Sequence, residues 1–450
     1  MTPLGGQSKR FVHFLRKTRN EMLGRLKGLE KILMNNTVLE HWFSPMTQAL
    51  ENVRNPKNKF SVLSMPTFLL VSCIRQLNNT GTLRDHLQNL KHMEDEDVEH
   101  VPVARSTFSD ALSNKTRLSI TEHACKALYQ AAKKQLPDRL KTLKGIGDRD
   151  VYAMDGSYQP ESCHFYKITP SQGGTDSSKG HLKLNVFDLR SGLPVDMDID
   201  ISSISEIRFV KERWKNSDLT TQKNSLWVVD RGFIDANYWD LRKQKHGVTT
   251  ITRMKSNLNY TVSESVKVTS SNKKQGVKKD QLIHLDSSGE PWRLIRYKSY
   301  TGETYEYLTN DLTLNAGVIA FLYHRRWDEE KYFDNHKNDM ANAKAWGKNE
   351  TAIKQQAIIG MITFILTRLF SHKQAEKFGM PTDGTTQEKR HLKKQEDYVN
   401  GSLKDQFRAF HTNLSKITKQ VWRFLKGCML KKNRQKLYEN HLKPMMTSYL

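Results

Sequence analysis

Ser225-Leu226-Trp227-Val228-Val229-Asp230-Arg231-Gly232-Phe233 is the stretch on which the fold turns. Its four consecutive apolar residues leave no polar face. Such a run suits a strand covered on both sides, as in a parallel sheet. It stops at an aspartate followed by a glycine-bearing turn. Upstream, Val151-Tyr152-Ala153-Met154-Asp155-Gly156 has the same form, a short apolar run closed by Asp155. Between the two, Leu182, Leu184 and Val186 alternate with polar residues, and Arg190-Ser191-Gly192 supplies a turn. Val195, Met197 and Ile199 then alternate with Asp196, Asp198 and Asp200. Period two on both sides of a turn predicts a hairpin. Helices are expected near Ser205 to Arg213 and Ile234 to Lys245, with a further strand at Val248 to Thr252.

Three meandering strands, a helix, a strand, a helix and a strand make an α/β layout of the ribonuclease-H-like kind. Its first part spans 148–253. Residues 254–311 read as a β-rich insertion, with Tyr260-Thr261-Val262, Leu294-Ile295-Arg296-Tyr297 and Tyr305-Glu306-Tyr307-Leu308 as strands. Residues 312–372 return to helix and complete the core. A polar linker (Ser371 to Gly401) and a basic helical segment fill 373–450. Residues 1–147 read as helical, with Phe11 to Met34 at near-helical apolar spacing. Helices are also expected over Pro66 to Leu77, from Thr82, and from Ser106, which would act as an N-cap. An acidic connector, Glu94-Asp95-Glu96-Asp97, separates the last two, leaving open either a helix-turn-helix or a plain bundle.

The 450 residues carry 72 Lys+Arg against 48 Asp+Glu, a net charge of +24. An excess of this size calls for a polyanionic partner, nucleic acid before membrane. Ala357 to Phe370 is the most apolar segment, but Gly360, Thr363, Thr367 and Arg368 interrupt it, so a buried core helix is expected rather than a span of ~20 apolar residues. Met1 to Gly6 shows no apolar secretory segment. Cys73, Cys125, Cys163 and Cys428 form no CxxC pair, which predicts reduced thiols in a cytosolic protein and no structural zinc.

The chemistry-bearing residues lie at the two strand ends and on one helix. Asp155 and Asp230 are each placed where a strand reaches a sheet edge, although aspartates also end strands simply as turn formers. In Tyr323-His324-Arg325-Arg326-Trp327-Asp328-Glu329-Glu330 and on to Lys337, helical geometry selects among the acids. At ~100° per residue, Tyr323, Arg326, Glu330 and Lys337 share one narrow stripe, whereas Asp328 and Glu329 fall elsewhere. Asp334 also fits the stripe and stays open as the alternative acid. A solvated face with an Arg326–Glu330 ion pair is the competing explanation.

The spacing Tyr323-x2-Arg326-x3-Glu330-x6-Lys337 resembles the YREK signature of IS4-family insertion-sequence transposases. Asp230-Arg231-Gly232-Phe233 is similar to the segment around that family's second catalytic aspartate, and Thr252-Arg253-Met254-Lys255 to the strand that follows. Arg105-Ser106-Thr107-Phe108-Ser109-Asp110-Ala111 is similar to part of its N-terminal region. Lys183-Leu184-Asn185 departs from the pattern, where many relatives have a histidine.

The resemblance implies a DDE transposase with Asp155, Asp230 and Glu330 as catalytic, metal-binding carboxylates. It implies two Mg²⁺ ions, with Mn²⁺ able to substitute. Tyr323, Arg326 and Lys337 would grip DNA phosphates, assisted by Arg253 and Lys255, and Trp292 is the candidate for stacking on an unpaired base. The expected partners are double-stranded transposon ends and target DNA, the expected assembly is a DNA-bound homodimer, and no membrane is expected. The setting would be the bacterial cytoplasm, at the nucleoid. Two alternatives remain: a domesticated, non-catalytic DNA-binding protein, and another ribonuclease-H-like nuclease.

Overall fold

The computed structural model describes residues 37–377, except 54–59, 61, 79–81, 92–102, 142, 162–165, 168–178, 201–203, 214–221, 300–301, 327–339 and 341–344. The expected helix over Phe11 to Met34, the acidic connector, Glu330, Asp334, Lys337 and the basic segment from Ser402 all lie outside the described residues.

The centre is a ten-stranded sheet. Strand β1 (Val151–Glu161) pairs antiparallel with β3 (Lys179–Asp188), which pairs antiparallel with β4 (Leu193–Asp200). The short β2 (Tyr166–Lys167) also pairs with β3. On the other side of β1, β5 (Leu226–Val229) and then β6 (Thr249–Arg253) run parallel to it. The order β4-β3-β1-β5-β6, antiparallel then parallel, is the ribonuclease-H arrangement. The hairpin from β3 to β4 closes at Gly192, whose φ of +69° is the left-handed conformation the turn requires.

All four residues of β5 are buried, because the strand has neighbours on both edges and side chains on both faces. Trp227 lies 5.2 Å, ring to ring, from Tyr152 on β1 and 6.4 Å from Trp239 on a neighbouring helix. Burying each such side chain stabilises the fold by about 1.5–3 kcal/mol.

The insertion does not stand apart from this core. Strands β7 (Tyr260–Ser265), β8 (Val277–Leu285), β9 (Pro291–Lys298) and β10 (Thr304–Thr309) extend the same sheet, since β10 pairs antiparallel with β6. A buried ion pair stiffens it, with Arg293 Nε donating to Asp280 Oδ1 at 2.7 Å.

Ten helices are described. They are α1 (Thr37–Glu51), α2 (Met65–Leu77), α3 (Leu83–Lys91), α4 (Arg105–Leu112), α5 (Lys115–Gln135), α6 (Glu206–Arg213), α7 (Ala236–His246), α8 (Ser270–Lys274), α9 (Ala316–Arg325) and α10 (Glu350–Lys377). Helix α4 begins one residue before the expected N-cap. Ala104 occupies that position and makes no side-chain cap bond, so Ser106 sits inside the first turn. Helix α10 runs to Lys377, so the first residues of the expected linker at Ser371 are helical. Its segment Glu350–Lys373 is long and apolar enough to cross a membrane, but 94% of its most apolar window is buried, packed among α1, α2, α4, α5 and β4. The aspartates of β4 face this helical layer, where Lys354 of α10 lies 3.0 Å from both Asp198 and Glu122.

Candidate active site

The last residues paired between the parallel strands β1 and β5 are Met154 and Val229. Asp155 and Asp230 therefore follow side by side at the point where the parallel ladder ends. Asp155 does not close its strand as expected. β1 continues to Glu161 because β3 goes on pairing with it, Asp155 against Asn185. Parallel pairing, not the strand itself, is what stops there. Asp230 leads into a 3-10 turn, Arg231–Phe233, anchored by the fully buried Phe233.

Helix α9 delivers a polar group to each aspartate. The Tyr323 hydroxyl donates to Asp230 Oδ1 at 3.2 Å, and Arg326, at the C-cap of α9, donates from a terminal guanidinium nitrogen to Asp155 Oδ2 at 3.3 Å. The guanidinium carbon lies 5.6 Å from the centre of the Tyr323 ring, within cation–π range. Both side chains are nearly buried, Tyr323 at 4% and Arg326 at 6% exposure. Burial, together with the negative charge of Asp230, pushes the Tyr323 phenol up. It is therefore a protonated donor at neutral pH. The three-residue separation of Tyr323 and Arg326 sets them on one side of the helix, each against a different carboxylate.

Arg253, at the end of β6, lies with its guanidinium carbon 5.0 Å from the Tyr305 ring. Lys255 follows two residues later and is half-buried. Trp292 requires a correction. It is 1% exposed, and its indole N–H is shared between Asp240 Oδ1 of α7 (3.0 Å) and Ser288 Oγ (3.1 Å). A ring so enclosed has no face to offer a nucleobase, and it fastens the insertion to α7 instead.

Sequence reasoning missed Glu206, the first residue of α6. Its carboxyl lies between Gly156 and Gly232, and a Cβ on either glycine would collide with it. Burial raises its pKa to about 7, with Asp155 and Asp230 adding to the shift, while Lys255 and Arg326 oppose it. The available signal was a glycine shortly after each aspartate, which marks a close approach as readily as a turn.

Asp155, Asp230 and Glu206 bring only carboxylate oxygens, the donor chemistry that suits a hard divalent cation. Among the described residues no three His, Cys, Asp or Glu side chains are already drawn together as a ligand set. Instead Asp155 is turned to Arg326 and Asp230 to Tyr323.

Residues 146–366 match the family model described as the transposase DDE domain. This region of the chain is a transposase DDE domain. Domains of that family generally use divalent metal ions. A protein of Sinorhizobium fredii (strain NBRC 101917 / NGR234), described as "Putative transposase y4zB", is 26% identical over 206 residues, 44% of this chain. The match spans 55% of that relative, about half its length. Among solved structures, a cryo-EM structure of the piggyBac transposase synaptic complex with hairpin DNA (SNHP) is similar at a TM-score of 0.40 and 12% identity. That similarity covers 93% of this chain and 83% of the other. The DDE domain found here takes in β1 to β10, α6 to α9 and most of α10.

Proposed function

We propose that the chain is a DNA transposase of the insertion-sequence type, close to the IS4 family. It binds the element's ends, cleaves them and joins the 3′ ends to target DNA by metal-dependent phosphoryl transfer. The observation that carries this reading is the adjacency of Asp155 and Asp230 at the end of one parallel ladder, inside the matched domain, with Arg326 and Tyr323 upon them. The residues that would hold the metal, Mg²⁺ with Mn²⁺ as a substitute, are Asp155, Asp230 and, from the spacing in the sequence, Glu330. When bound there, such ions supply Lewis-acid charge at phosphate oxygens and favour deprotonation of a water or 3′-hydroxyl.

The chain's own residues divide the remaining work. Arg326 presents a guanidinium able to fork two phosphate oxygens, and Tyr323 presents a neutral donor beside it. Both hold the aspartates in position before DNA arrives. Arg253, Lys255 and Lys337 add positive charge for the backbone. The charge of +24 supports a nucleic-acid partner, with a homodimer on paired ends in the bacterial cytoplasm.

The test begins with a search of the DNA flanking the gene for short inverted repeats and uses DNA ending in them; their absence counts against the reading. Wild-type protein should nick it at the repeat boundary with Mg²⁺ or Mn²⁺ and not in EDTA, and its affinity should fall steeply as salt rises. Binding that is indifferent to salt, or nicking that persists in EDTA, contradicts the reading.

A further inference from the structure

The carboxyl of Glu206 suits the first turn of its helix, but that alone does not call for a place between two glycines beside the site. Helix α6 is already anchored by Phe209 and Val210, both fully buried, and packs on the 3-10 turn after β5. Glu206 projects into the space left by the missing side chains of Gly156 and Gly232, one residue beyond Asp155 and two beyond Asp230. No described residue is hydrogen-bonded to its side chain, and it makes no ion pair. A half-buried carboxylate beside two others, without a donor of its own, is held at a cost in stability unless something positive joins the group.

We infer that Glu206 is a further carboxylate ligand of the divalent cation at this site, sharing it with Asp155 and Asp230. The inference rests on the reading of those two aspartates as metal ligands. Three features favour it. Glu206 lies beside the glycine that follows each aspartate and feels the charge of both, so a cation that drew the three carboxylates together could be shared among them. The two glycines leave the space that the carboxyl occupies, which a side chain at either position would close off. Lys255 and Arg326 are the positive groups that bear on Glu206, and both are tethered side chains that only partly offset the crowding. Glu206 also lies outside the helical stripe that carries Tyr323 and Arg326, so it belongs to no part of that signature.

The test is a titration of the full-length, DNA-free protein with Mn²⁺, read as bound against free ion by electron paramagnetic resonance. It compares wild type with Glu206→Gln, Glu206→Asp, Asp155→Asn and Asp230→Asn, each first shown to keep the wild-type circular dichroism spectrum. Glu206→Gln should weaken Mn²⁺ binding at least ~10-fold. Glu206→Asp keeps the charge on a shorter arm and should fall between it and wild type. Should Glu206→Gln bind as wild type does while the aspartate variants lose the ion, the role of Glu206 is overturned and the site reading stands. If the aspartate variants bind as wild type does, or wild type takes up no Mn²⁺ at millimolar concentration, the site reading fails and this inference fails with it. Glu206→Asp is the second variant should Glu206→Gln not fold.

Discussion

The two halves of the ten-stranded sheet are built to different specifications. In the half formed by β4, β3, β1, β5 and β6, the central strand β5 is buried on both faces, and helices cover the sheet. In the insertion half the outermost strand, β7, is exposed at every one of its six residues, including Tyr260 and Val262. Between them β9 is a hybrid, with Trp292 to Ile295 buried and Arg296 at the surface. Burial is concentrated where the carboxylates are held. The edge far from them presents polar and aromatic side chains to solvent, as a surface for a partner would. Trp292 shows how the halves are joined, since its N–H reaches Asp240 on a core helix.

That contrast can be broken by substitution, and the largest effect is expected at the junction. Trp292→Ala removes a fully enclosed ring and leaves Asp240 short of a donor, so it should cost about 3–5 kcal/mol in unfolding free energy. A loss below about 1 kcal/mol would mean the insertion is not fastened through this residue.

A smaller effect of opposite sign is expected at the site. In the unfolded chain Glu206 ionises near 4.5, but in the folded chain only near 7, through burial and then Asp155 and Asp230. The folded state therefore holds the extra proton in that window, and stability is lost as pH rises through it. Glu206→Gln stays neutral, so in EDTA it should match wild type at pH 4 and exceed it at pH 8. Allowing for solvent screening, the gain is on the order of 1–2 kcal/mol. Thermal melts at the two pH values decide this, and a difference unchanged between pH 4 and pH 8 would contradict the raised ionisation of Glu206.

The smallest effect is expected at the exposed edge. Tyr260→Ala and Val262→Ser should each shift unfolding free energy by no more than about 0.5 kcal/mol, since neither side chain is enclosed. A larger loss at either would mean that the outer strand is less exposed than described.

Much of the fold was legible because its signals are local. The apolar run Leu226 to Val229 announced a two-faced strand, and the alternation around Arg190-Ser191-Gly192 announced the β3–β4 hairpin. What stayed hidden depends on pairing across long distances. Nothing in Asp155-Gly156-Ser157 says that β3 will keep β1 extended past the aspartate, and nothing in Thr304 to Thr309 says that it will pair with β6. Trp292 was the candidate for stacking on an unpaired base, yet its environment is set by Asp240 and Ser288. In the site, the strand ends and the stripe on α9 pointed to Asp155, Asp230, Tyr323 and Arg326. Glu206 escaped because it begins a helix of its own, and only tertiary packing brings it between two glycines distant in sequence.

The central claim is that Asp155 and Asp230 work as one metal-binding pair on DNA. It is tested most directly by cleavage of end-bearing DNA in Mg²⁺ by wild type, Asp155→Asn, Asp230→Asn and the double variant, with binding followed in parallel. The account predicts that each single change lowers cleavage on the order of 10³-fold or more, that the double is little worse than either alone, and that binding stays within a few-fold of wild type. Cleavage retained near the wild-type rate by either single variant would contradict it.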